Sequence, residues 1–161
     1  MSRKLDRIDH FEVEYEFLSN MFVVEPNGIA IVEKNRRIRL PTSEHIYASS
    51  KLQLDGDRAY VRNAPSGRKA RDRARHLVEI GQPATYTDDN GRIDLMRHAI
   101  EAKFFAGSLM ASLLLATENA LLVEGNNWDD NFWGSSPPDN LDGLNNLGII
   151  LMDRRQDLQQ Q

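Results

Sequence analysis

A chain of 161 residues is long enough for one domain with its own core, and the absence of cysteine excludes disulfides, a thiol nucleophile and Cys-ligated metals. Hydrophobic content of 40% and charged content of 27% are ordinary for a globular protein, and no apolar run reaches membrane-spanning length. The start, MSRKLDRIDH, has no apolar h-region, so a cytoplasmic protein without a membrane partner is expected. Net charge is −4 but uneven: residues 58–76 carry seven basic side chains against Asp72 alone, a local +6 that leaves −10 elsewhere. Such a field attracts phosphate or nucleic acid, although a solvated helix face would show the same run.

In chain order, residues 1–10 read as a frayed polar start. Phe11–Phe17, Met21–Val24, Ile29–Val32 and Ile38–Leu40 read as strands, with turns at Pro26-Asn27-Gly28 and Lys34-Asn35. Thr42 caps a helix from Ser43 to about Leu54 that stops near Asp55-Gly56. Ser66 caps a second helix, Gly67–Ile80, closed by Gly81. A polar link follows to Gly91. Ile93, Met96, Ile100 and Phe104 mark a third helix ended by Gly107, and Ser108 caps a fourth. Ala120–Val123 is a short apolar run, a loop break falls at Ser135 to Pro138, and a last helix spans Leu147–Leu158 before the polar tail 159–161. Strands first and mostly helices afterwards predict an α+β fold, a single domain over residues 11–158.

Two constellations carry chemistry. Glu124 to Gly134 packs three carboxylates and both tryptophans of the chain into eleven residues too rich in Asn and Gly for a regular element. Trp128 and Trp133 offer flat faces for a base or sugar, and the acids offer proton transfer or cation stabilisation; a Trp-anchored surface loop would look the same. Glu44, Tyr47 and Lys51 fall at i, i+3 and i+7 and share one helix face, a set that could serve as acid, base or nucleophile, or stand on an ordinary surface helix. His45 has no paired-ligand spacing around it, so no metal is expected. Ser66, Gly67, Arg68 and Lys69 at a helix start, and Asn145 before the last helix, could meet an anion or simply cap.

Read together, the blocks Phe17-Leu18-Ser19-Asn20, Pro41 to Lys51, Ala64-Pro65-Ser66, Met96 to Phe104, Leu114 to Thr117, Glu124 to Gly134 and Gly143 to Met152 resemble the NADAR family, also called YbiA-like, over nearly the whole chain. One departure is the segment Tyr86 to Arg92, where many members carry an Asp-Trp pair; Tyr86 stands in for that Trp or the pocket takes another base. The resemblance implies N-glycosidase activity on a ribose C1–N bond, without a cofactor. The substrate would be ADP-ribose on guanine in nucleic acid, such as ADP-ribosylated DNA, or a phosphoribosyl-amino-pyrimidine intermediate of riboflavin synthesis. It implies catalytic roles for Glu44, Asp130 and Lys51, either by direct hydrolysis with a carboxylate activating water or by a Lys51 Schiff base with the opened sugar. Trp133 and Trp128 would stack on the base, Asn20 and Asn145 would hydrogen-bond ribose or phosphate, Arg68 or Lys69 would pair with phosphate, and Tyr47 and Gly134 complete the expected substrate contacts. Two competing classes are a non-catalytic ADP-ribose-binding module and a DNA-binding protein using the basic segment.

Overall fold

The computed structural model describes residues 6–136 and 142–161. The elements are few short strands and mostly helices, the expected α+β composition. They form two compact units. One is Asn20–Lys103; the other joins the chain up to Ser19 with Phe104–Gln161. No linker marks this division in the sequence. Charge follows it: the 20–103 unit holds 15 basic and 11 acidic residues, the remainder 5 and 13.

In the 20–103 unit, β2 (Ile29–Glu33) and β3 (Arg36–Leu40) form the predicted antiparallel hairpin, with Ile29 opposite Leu40 and Glu33 opposite Arg36. Its turn residues Lys34 and Asn35 both have positive φ, 48° and 62°, the conformation that matches strand twist in two-residue hairpin loops. Met21–Val24 is not a strand: Val24 N–H to Pro41 O is a single bond to a neighbouring segment, and four apolar residues without a continued ladder form no sheet.

Helix α1 is Ser43–Ser50, capped by Thr42 as expected but ending before Leu54. Ser49 and Ser50 hydroxyls bond back to the Ile46 and Tyr47 carbonyls, and Thr85 N–H takes the Lys51 carbonyl, which diverts the chain from helical continuation. Asp55-Gly56 opens a helix rather than closing one: α2 (Asp55–Arg62) has acids in its first turn and Arg62 in its last, as the helix dipole favours. Glu33 pairs with both Arg58 and Arg62 and so ties α2 to β2. Helix α3 (Gly67–Glu79) carries its Ser66 cap, and Gly81 follows at φ 91°. Helix α4 (Asp89–Lys103) begins inside the expected polar link, where the Asp88 carboxylate accepts from Gly91 N–H. The alanines Ala48, Ala70 and Ala74 are buried in one cluster with Leu52, Val61 and Leu77, and their small side chains let α3 lie close on α1.

In the other unit, β1 (Arg7–Ile8) pairs parallel with β4 (Leu121–Leu122), and Ile8 is buried. The expected frayed start is thus corrected at these residues; residues 1–5 lie outside the described ones, as do Pro137 and Pro138 of the expected loop break. The expected strand Phe11–Phe17 is a 3-10 helix, Val13–Leu18. Its alternating Phe, Val, Tyr and Phe imitate a strand, but Val13 takes φ 50° and is exposed while adjacent Phe17 and Leu18 are both buried, a pattern a strand with one solvent face does not give. Helices α5 (Leu109–Leu115) and α6 (Asn146–Gln159) complete the unit. Buried Arg155 donates to Thr117 Oγ1 at 2.7 Å and to the Ala120 carbonyl at 3.0 Å, fixing α6 to the turn before β4.

Gly148 is where α6 meets β4. A Cβ there would lie 2.2 Å from the Leu122 carbonyl oxygen, a backbone atom that cannot yield without moving the strand. Gly148→Ala should therefore cost about 3 kcal/mol, at the upper end of overpacking penalties, as read from urea denaturation. Unchanged stability would show that α6 and β4 are not held this closely.

Candidate active site

Helix α1 presents Glu44 and Tyr47, 4% and 2% exposed, and hands on to Lys51 at its C-cap. The expected face is real, and it points into protein. The Lys51 ammonium sits over the Tyr47 ring, 4.2 Å from its centroid. From α4, the Arg92 guanidinium donates to Asp89 Oδ1 at 2.8 Å and lies within electrostatic reach of the Tyr47 hydroxyl. Segment 83–86 is laced to the end of α1 by Thr85 N–H to Lys51 O at 2.8 Å and Thr85 Oγ1 to Ser50 O at 2.6 Å, and this brings Tyr86 into electrostatic reach of Tyr47.

Burial pushes the Lys51 amine down to about 8; Glu44 opposes the shift, and Arg92, Arg75 and Arg71 add to it. Burial also raises the Tyr47 hydroxyl well above the usual phenol range, so it stays protonated. The result is an amine about half free near pH 8, beside Glu44 and a neutral phenol. His45 takes no part: one ring nitrogen lies 2.8 Å from Thr42 Oγ1, the other donates to the Ala64 carbonyl at 3.1 Å, and burial lowers its pKa. Among the described residues no group of three or more His, Asp or Glu could hold a metal ion.

The remaining candidates fall in two places. Asn20, in the unit of α1, has its amide engaged: Nδ2 donates to Met96 Sδ and Oδ1 accepts from Ser43. Arg68 and Lys69 are exposed, and Lys69 N–H is already held by the Ser66 hydroxyl. In the other unit, the loop 124–136 is organised by Asn126, which the sequence reading missed. Its side chain accepts from Trp128 and Asp130 N–H and donates to the Asp130 and Ser135 carbonyls. Asp130 Oδ1 accepts from Phe132 and Trp133 N–H, so this carboxylate closes a turn. Trp133 packs edge-on against Phe132 at 4.8 Å, and Trp128 is 67% exposed. Gly134 is needed for space: a Cβ would lie 2.0 Å from the Glu124 carbonyl oxygen. Asn145 neither caps α6 nor offers a free amide; it accepts from Glu124 N–H and donates to Leu122 O.

Residues 8–159 match the NADAR domain. The chain belongs to the NADAR family. The N-glycosidase YbiA of Escherichia coli is 33% identical over 122 residues, covering 73% of this chain and 70% of that protein. Its Shigella boydii counterpart is 34% identical over 118 residues, with the same coverage. The maize (Zea mays) chloroplastic riboflavin biosynthesis protein PYRR is 31% identical over 141 residues, 83% of this chain but 22% of that longer protein. The NMR structure of Escherichia coli YbiA matches with a TM-score of 0.71 and 29% identity, covering 96% of this chain and 86% of that one.

Arg92, Arg71 and Arg75 were not singled out by sequence. Arg71 and Arg75 carried a signal, a four-residue spacing inside the basic run, whereas Arg92 carried none beyond its place one turn into α4.

The shifted amine has a consequence for stability. In the unfolded chain Lys51 keeps its proton up to 10.5, while the folded chain releases it near 8. Between those values unfolding takes up a proton, so stability rises with pH. Compared with Lys51→Met, the wild type should gain stability from pH 8 to 10 in urea denaturation; a constant difference across that window would show an ordinary lysine.

Proposed function

We propose that this chain is an N-glycosidase that cleaves the ribose C1–N bond of a phosphorylated ribosyl base through the Lys51 amine. The observation that carries this reading is the depressed Lys51 amine packed on Tyr47 beside Glu44. The named activity of the YbiA relatives supports the reaction class.

In the proposed sequence, Lys51 Nζ attacks C1, the C1–N electron pair leaves with the base, and the base takes a proton. The ring oxygen then releases C1 to give an iminium with the opened sugar. Water adds, and hydrolysis returns the free amine and the phosphorylated ribose. Net consumption is one water. The amine must be unprotonated to attack, which its burial and the surrounding guanidiniums supply. Glu44 is assigned the proton transfers and the stabilisation of positive charge at C1. The Tyr47 ring holds the amine in place, and the Arg92 charge favours its unprotonated form. Asp130, on the other unit, is assigned to support of its own loop rather than to proton transfer.

The preferred substrate is a phosphoribosyl-amino-pyrimidine, which the riboflavin-pathway name of the maize relative supports. A second reading, ADP-ribose on guanine in nucleic acid, is favoured by the positive balance of the 20–103 unit and its exposed Arg36, Arg37, Arg39, Arg68 and Lys69. Incubation with each substrate, followed by mass spectrometry, separates them. Ribose 5-phosphate from the first supports the preferred reading, free ADP-ribose with intact DNA supports the second, and no product from either points to a binding module.

With the active substrate, Glu44→Gln should lower turnover by about 10²–10⁴-fold while leaving the fold intact. Borohydride during turnover should trap a sugar adduct on Lys51. Arg92→Gln should move the rising limb of the pH–rate profile upward, since loss of a cation raises the amine. A Glu44→Gln enzyme of wild-type rate, or trapping elsewhere, would remove the assigned residue from the mechanism.

A further inference from the structure

Arg71 and Arg75 stand one turn apart on α3, and the first turn of that helix abuts α1: a Cβ on Gly67 would lie 3.2 Å from Glu44 Cβ. Both arginines act electrostatically on Lys51, as does Arg92 from α4. Four cations from three helices therefore gather at one place. The acids there are few. Glu44 acts on Lys51, Asp89 is taken by Arg92, and Asp72 Oδ1 stands 3.7 Å from Arg71 Nε. That Nε is buried and has no hydrogen-bond partner among the described residues. The arginines of α2 are spent on Glu33. Like charges so placed repel one another, and a buried guanidinium nitrogen without an acceptor is costly; an oxyanion relieves both.

We propose that Arg71 and Arg75, with Arg92 beside them, form an anion subsite that takes the phosphoryl group of a phosphorylated ribose. It rests on the reading of Lys51 as the reacting amine, and it moves phosphate recognition away from Arg68 and Lys69. The spacing suits the role: one guanidinium binds two phosphoryl oxygens, and a second one turn away can reach the third. Coupling follows from proximity. A bound dianion offsets the guanidinium charges and favours protonated Lys51, and by reciprocity protonated Lys51 favours the dianion. Glu44 acts on the same amine, and burial keeps the neighbouring Tyr47 phenol protonated.

The test is calorimetric titration with ribose 5-phosphate, and with ribose as the unphosphorylated control, at pH 7 and 9. Wild type should prefer ribose 5-phosphate and bind it more weakly at pH 9. Arg71→Gln/Arg75→Gln should weaken it by about 10-fold or more, the charge-keeping Arg71→Lys/Arg75→Lys should recover most of the loss, and Arg68→Gln/Lys69→Gln should bind as wild type. Wild-type affinity in a folded Arg71→Gln/Arg75→Gln protein, loss carried by Arg68→Gln/Lys69→Gln instead, or no preference over ribose overturns the subsite. Selective binding of ribose 5-phosphate without any glycosidase turnover would sink the enzymatic reading and leave the subsite standing. Turnover with KM unchanged in Arg71→Gln/Arg75→Gln would do the reverse.

Discussion

Helix α1 is a polar segment placed where a core helix belongs. From Ser43 to Ser49 every residue is buried, yet only Ile46, Tyr47 and Ala48 are apolar or aromatic. Burial of Ser, Glu and His is tolerable only if their polar atoms find partners inside the protein. Thr42, Asn20 and the Ala64 carbonyl supply several of them, and this is why the residues before α1 and at the junction of α2 and α3 have their conformations. The same desolvation lowers the Lys51 amine and raises the Tyr47 hydroxyl. The packing of the 20–103 unit and the chemistry of its site thus have one cause.

The loop between β4 and α6 solves a different problem. Its described residues form no regular ladder, and many of their backbone donors and acceptors are matched by side chains, chiefly Asn126, Asp130 and Asn145. Carboxylate and amide groups in a Trp-rich loop look catalytic in sequence because such residues are also those that satisfy irregular backbone. Close approaches at Gly134 and Gly148 tighten it further. Among the described residues the Trp128 ring stays 67% exposed.

Much of the fold could be read from local chemistry. The caps Thr42, Ser66 and Ser108, the Lys34-Asn35 turn and the glycines after α3 and α4 each act within a few residues, and each was legible. The 3-10 helix at Val13–Leu18 was not, because its apolar alternation is that of a strand and only the positive φ of Val13 breaks it. Helix α2 was missed since its signals, Asp55 and Gly56, also mark a helix end. At the site, Glu44, Tyr47 and Lys51 could be paired by helical spacing, but Arg92 and Arg71 reach Lys51 only through the packing of α3 and α4 on α1. Asn126 stands between Glu124 and Trp128 and drew no notice, because an amide's value depends on which carbonyls surround it.

An amine that gives up its proton near pH 8 is not saturated in its reactive form at neutrality. Below that value the free fraction falls about tenfold per pH unit, so half a unit of acidification removes roughly two-thirds of it. Under the proposed lysine mechanism, the acidity around the protein would itself grade the reaction rate, with no separate sensor.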